Sequence, residues 1–117
     1  MLNKYFDKVY LAKAPCDMRK QIDGLAIMVR EQFNLDPFSS ALFVFCNKSR
    51  TKLKLLFWQH NGFWLCYRRL ETGKFDWPKD RNGDVVTIDA RELAWMLDGL
   101  SLEQKQAHQK VYARVII

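Results

Sequence analysis

The chain has 117 residues, a formal net charge of +6 and 49% hydrophobic residues. That length suits one domain with a core of its own, and the composition speaks against a disordered or fibrous chain. No run approaches the roughly 18 apolar residues of a membrane span, and the basic balance favours polyanionic partners.

The N-terminal stretch "MLNKYFDKVYLAKAP" breaks its apolar residues with Lys4, Asp7, Lys8 and Lys13. It makes a poor signal peptide, so a cytoplasmic protein is expected. Within it, "VYLAKA" (9–14) reads as a first strand that Pro15 ends. Asp17 is placed to cap a helix running to about Phe33. Ile22, Leu25, Ala26, Val29 and Phe33 recur at helical spacing and make one apolar face, while Gly24 weakens the helix relative to alanine. "NLDPFSS" (34–40) is a turn. "ALFVFCN" (41–47) has no polar face and reads as a central strand covered on both sides.

The stretch "KLKLLFWQHNGFWLCYRRLETGKFDWP" (52–78) is the strongest local signal. Asn61-Gly62 between two apolar runs predicts a hairpin with a type I′ turn. That register sets His60 opposite Phe63, Trp58 opposite Leu65, Leu56 opposite Tyr67 and Lys54 opposite Arg69, all on one face. The other face carries Leu53, Leu55, Phe57 and Gln59 and is expected to be core against the first helix. The first face mixes cations with aromatics, a combination that suits phosphate contact with base stacking. It is equally compatible with a helix covering the aromatic part and leaving the cations as a solvated rim.

Beyond the hairpin, 71–84 is irregular, "VVTI" (85–88) reads as a short strand, and Asp89 with Glu92 predicts a capping box for the helix "ARELAWMLDG". Gly99 ends it. Ser101 and Gln104 predict a last helix over 102–116. The expected fold is a single α+β domain spanning 1–117. Its core lies at about 8–100, and 101–117 form a C-terminal helix or tail. A mostly antiparallel sheet of three to five strands carries the Asn-Gly hairpin at its centre. The order is β-α-β-β-β-α, with the first strand parallel to the second through the helix crossover.

Catalytic signals are sparse. Cys16, Cys46 and Cys66 show no C-x-x-C spacing, and His60 and His108 have no cysteine at a ligand spacing, which speaks against a disulfide framework or a zinc site. Asp76, Asp80 and Asp84 recur every four residues, but Pro78 and Gly83 interrupt any helix that would align them. "DRNGD" lacks the order and the terminal Glu of a calcium loop. There is no Gly-rich phosphate loop and no G-x-S-x-G. The reading is a non-enzyme with no cofactor and no small-molecule substrate.

"DMRKQIDGLAIMV", "LFVFCNKSRTKLKLLFWQHNGFWLCYRRLETGKFDWP" and "LAWMLDGL" resemble, in order and spacing, the small TnpB accessory proteins of the bacterial insertion-sequence-sixty-six transposon family, from about Val9 to Leu100. Recurrent family positions matched include Asp17, Arg19, Lys20, Gly24, Lys54, Trp58, Gly62, Arg69, Glu71, Gly73, Trp77 and Pro78. The family tends to show Arg after its "FVF" strand, where this chain has Cys46, so one phosphate contact is missing. The resemblance implies an accessory role in DNA transposition beside a separate catalytic transposase, TnpC, and a further small protein, TnpA. It carries over no catalytic residue.

Two functions fit. In the first, Lys48, Arg50, Lys52, Lys54, Arg68 and Arg69, joined by Arg19 and Lys20 at the start of the first helix, contact DNA phosphates. In the second, Trp58, Tyr67 and Trp77 dock on TnpC or TnpA, with Trp77 before Pro78 as an apolar anchor. Trp77 could instead fold back and plug the sheet edge.

Overall fold

The computed structural model of the chain describes residues 6–78 and 83–98. Seven elements follow in the order β1 (Lys8–Ala12), α1 (Ile22–Glu31), β2 (Ala41–Cys46), β3 (Lys52–Gln59), β4 (Gly62–Arg69), β5 (Val85–Ile88) and α2 (Ala90–Leu97). They form an α+β architecture around one five-stranded sheet of order β4-β3-β2-β1-β5. β1 runs parallel to β2 with α1 as the crossover, and the other three pairings are antiparallel. Five strands lie within the expected three to five, and β5 is the short strand read at 85–88 that the order β-α-β-β-β-α leaves out.

β2 is the centre because it has no polar side to show water. Its side chains alternate between two cores. Leu42, Val44 and Cys46 join Leu11, Leu53, Leu55, Val86 and Met96 on one face. Ala41, Phe43 and Phe45 join Leu25, Val29 and Leu56 on the other. The α1 stripe of Leu25 and Val29 is buried, as its periodicity predicts, and lies on the second face with Ile22, Ala26 and Phe33 packed around it. α2 covers the first face through Leu93 and Met96.

This reverses one expectation. The aliphatic side of β3, Leu53–Leu55–Phe57, meets α2 and the 75–77 segment rather than α1. The reason is register: β2 sets Phe43 beside Leu56 and Phe45 beside Lys54, so the mixed face of β3 turns to the crossover helix. Periodicity separates the two faces of a strand but does not say which helix lies on which.

The first helix also starts later than expected. Asp17 does not cap it. Its Oδ1 accepts the N–H of Arg19 at 2.9 Å, and the Lys20 N–H donates to the Asp17 carbonyl at 3.1 Å, closing a separate turn. Gln21 occupies the N-cap position without a side-chain bond. α2 behaves as predicted. Asp89 Oδ1 accepts the Glu92 N–H at 2.8 Å, and Glu92 Oε1 accepts the Asp89 N–H at 3.1 Å. Gly99 and the helix expected over 102–116 lie outside the described residues.

The hairpin lies at one end of the sheet rather than at its centre, because β2 alone pairs apolar faces on both sides, and its turn comes one residue earlier than Asn61-Gly62. His60 (φ 50°) and Asn61 (φ 67°) take the two left-handed positions, and Gly62 opens β4. Gln59 then faces Gly62, Trp58 faces Phe63, Phe57 faces Trp64 and Lys54 faces Tyr67. Aromatic pairing outweighs the glycine's freedom here. The Trp58 and Phe63 rings meet edge-on at 5.0 Å, and Phe57 stacks on Trp64 at 6.2 Å. Cross-strand aromatic pairs contribute on the order of 0.2–1 kcal/mol each. The shift moves each partner by two positions, so the composition of both faces survives.

Candidate nucleic-acid interface

Lys54 organises the charged end of the α1 side. It sits at 6% exposure between Phe45 of β2 and Tyr67 of β4. A buried ammonium persists only with acceptors. Lys54 Nζ donates to the carbonyls of Met18 at 2.7 Å and Lys20 at 2.8 Å. The side chain therefore contributes structure rather than surface charge. It fastens the turn that carries Arg19 and Lys20 to the end of the sheet where Lys52 lies opposite Arg69 and Tyr67 is the next cross-strand neighbour.

The cations gathered there are Arg19, Lys20, Lys52 and Arg69. Arg19 makes a forked pair with Asp17, Nη2 to Oδ2 at 2.8 Å and Nε to both oxygens at 3.1 Å. That hydrogen-bonded guanidinium holds the Asp17 carboxyl at about 2, well below its ordinary value. Arg69 reaches Glu71 Oε2 through Nη2 at 2.9 Å and Nε at 3.0 Å. Both pairs lie in water, where such contacts are worth little and exchange readily. Among the described residues, neither Lys20 nor Lys52 forms a salt bridge. Tyr67, 53% exposed, supplies an aromatic face beside them.

The remaining expected residues lie elsewhere. Arg50 and Arg68 belong to the α2 side. Arg68 lies opposite Leu53, and the Arg50 guanidinium carbon stands 5.2 Å from the Trp77 ring centroid. Arg50 Nη1 and Arg68 Nε are shut from solvent without a hydrogen-bond acceptor. Lys48 is exposed at the tip of the β2–β3 turn. Asn47 Oδ1 shapes that turn by accepting the N–H groups of Thr51 at 2.9 Å and Lys52 at 3.0 Å. The eight cations that read as one basic patch with its helix-start extension thus divide between two faces and a loop, because successive strand residues point to opposite sides.

Trp77 is folded inward, not presented. It is 4% exposed, and its indole N–H donates to the Ala12 carbonyl at 3.0 Å. Trp58 is half-buried under Phe38 (4.9 Å, edge-on) and Phe63. Phe38, 47% exposed in the "NLDPFSS" turn, is a surface aromatic that sequence reasoning passed over. A phenylalanine following Pro37 in a turn was its only signal. The acidic partners Asp17 and Glu71, each two residues from its arginine, were also missed.

Chemistry-bearing groups are spread out. Burial pushes the Cys16 and Cys46 thiols up from their ordinary value, and Cys66 is exposed. Among the described residues, no three His, Cys, Asp or Glu side chains stand together to hold a metal ion, and no helix is long and apolar enough to cross a membrane.

Residues 7–107 match the family described as IS66 Orf2-like protein. The chain is similar to the uncharacterized protein y4hO of Sinorhizobium fredii, with 32% identity over 99 residues that cover 85% of each chain. It is also similar to y4jC of the same organism, at 29% identity over 80% of this chain and 79% of the relative. No solved structure gives a significant match. The chain belongs to the IS66 Orf2-like family of insertion-sequence-associated accessory proteins.

Proposed function

We propose that the protein assists transposition without chemistry of its own, by contacting the phosphate backbone of DNA at the element ends through Arg19, Lys20, Lys52 and Arg69. Tyr67 offers a face for stacking. The observation that carries this reading is the Lys54 tie, which brings two cations from the helix-start turn beside two from the hairpin. Phosphate contacts of this kind position a duplex without reading its sequence. A non-catalytic role is supported by the thiols, two of them buried with raised pKa, and by the place of His60 at an exposed hairpin turn.

Docking on the catalytic transposase is the second reading. It cannot use Trp77 as an exposed anchor, and Tyr67 is the one partner-binding candidate among Trp58, Tyr67 and Trp77 that is exposed.

The test is a fluorescence-anisotropy titration of element-end DNA at several salt concentrations. Each phosphate contact contributes a slope of about −0.9 in log K against log salt. A Lys20→Ala/Lys52→Ala/Arg69→Ala variant is expected to flatten the slope by about 2.7 on that scale. Absence of binding by the wild-type chain at low salt would sink the reading.

A further inference from the structure

β4 borders the sheet, and no described strand lies beyond it. The Leu70 N–H donates to the Thr51 carbonyl at 2.9 Å, and the β3–β4 register continues from that pair without a break. Hydrogen-bonded pairs alternate with non-bonded ones in an antiparallel ladder. Even-numbered residues of β4 therefore turn their backbone groups toward β3, while Phe63, Leu65, Tyr67 and Arg69 turn theirs outward. Edges that stay single are usually guarded by a lysine, a proline, a bulge or an inward charge. Residues 62–67, "GFWLCY", carry none of these and the continuous register leaves no bulge, so the charges of β4 are confined to Arg68 and Arg69 at one end. Trp64 (55%) and Tyr67 stand exposed along the same strand.

We propose that this edge is closed by the same edge of a second copy of the chain, antiparallel, about a two-fold axis normal to the sheet and passing between the two Cys66 residues. The register follows from the backbone. With the axis at Cys66, Phe63 faces Arg69 of the second copy and Leu65 faces Tyr67, so the outward N–H and C=O of all four residues find partners. With the axis at Leu65, Arg69 is left unpaired in both copies. With the axis at Tyr67, Phe63 is left unpaired.

The charges favour the same arrangement. Arg68 and Arg69 occupy one end of β4, so antiparallel pairing sets them against Trp64 and Phe63 of the second copy, where a guanidinium meets an aromatic ring. The two Arg69 residues then stand about 20 Å apart along the strand direction, at roughly 3.4 Å per residue. Parallel pairing would stack the arginines on each other. A second copy therefore fits this edge in both hydrogen bonding and charge.

Cys66 supplies the readout. Facing Cys66 residues would form a non-hydrogen-bonded pair with Cα atoms about 4.5 Å apart, inside the range that a disulfide spans. The full chain is expected to show twice its 13.9 kDa mass in light scattering. Copper-phenanthroline oxidation should give a covalent dimer joined at Cys66. Cys66→Ser removes the crosslink but leaves the dimer. Cys66→Arg, a change at an exposed position, sets like charges across the axis and is expected to run as a monomer with unchanged circular dichroism. Crosslinking through Cys16 or Cys46, or a Cys66→Arg variant that stays dimeric, would overturn the proposal. So would a monomeric wild-type chain whose Leu65 and Tyr67 amides resist hydrogen exchange.

Discussion

Replacing Lys54 by methionine separates a structural lysine from a phosphate-binding one. The change keeps the aliphatic stem in its buried slot and removes the two charge-assisted hydrogen bonds to the Met18 and Lys20 carbonyls. Such bonds contribute about 1.5–3 kcal/mol each. Against that loss stands the relief of a desolvated ammonium, several kcal/mol in effective terms, together with rehydration of the Lys20 carbonyl, which belongs to an exposed residue. The balance is a destabilisation of about 2 kcal/mol, inside the range of about 0.5–3 kcal/mol usual for single substitutions. With a urea m-value of about 2 kcal/mol/M, the unfolding midpoint falls by about 1 M. Trypsin should also cut faster after Arg19 and Lys20, because their turn loses its tie. DNA affinity is expected to fall with the salt slope retained, since no phosphate contact is removed. An unchanged midpoint and trypsin rate, or a slope reduced by about 0.9, would refute the assignment and return Lys54 to the surface.

Trp77→Ala is expected to lose about 3–5 kcal/mol in chemical denaturation, the cost of emptying a buried aromatic site. Trp77→Phe should lose about 1–3 kcal/mol by orphaning the Ala12 carbonyl; a fully stable Trp77→Ala would mean the indole is not core. In a thiol titration of the reduced native protein, Cys66 should react well before Cys16 and Cys46, and all three should react once the chain is unfolded. Asp17→Asn frees Arg19 while keeping an oxygen for the Arg19 N–H, so anisotropy should show tighter DNA binding and a slope steeper by up to about 0.9. Because its folded pKa is depressed to about 2, the stabilising effect of Asp17 is present above its unfolded value and lost as pH falls toward 2. DNA binding should therefore show no Asp17 titration between pH 5 and 8.

Much of the fold could be read from local pattern. β2 has no polar side and proved central, and the stripe from Ile22 to Phe33 lies on the core face. The two faces of the hairpin are legible in the alternation of β3 and β4 despite the one-residue difference in the turn, because a shift that preserves parity leaves side chains on their own side. What could not be read was long-range. Lys54 alternates with Leu53 and Leu55 like any solvent-facing strand lysine, and only the approach of residues 18–20 makes its position interior. Trp77 follows the same logic: its acceptor lies 65 residues away in sequence. The cations looked like one patch because they are close in sequence, whereas the pleat sends Arg68 and Arg69 to opposite sides.

The pairing of β1 bears on how the chain is made. β1 leaves the ribosome first, yet one of its two neighbours is β5, which begins at Val85. At about 5–20 residues per second, roughly 4–15 s separate the synthesis of Ala12 from that of its partner. Once β2 has been made, Val9 and Leu11 have it on one side and an open ladder on the other until β5 follows. Trp77, whose indole closes on the Ala12 carbonyl, is synthesised before Val85, so it is the first native cover that border receives. Nascent chains lacking Trp77 would keep that border bare longer, which gives the buried tryptophan a part in the timing of folding as well as in its final stability.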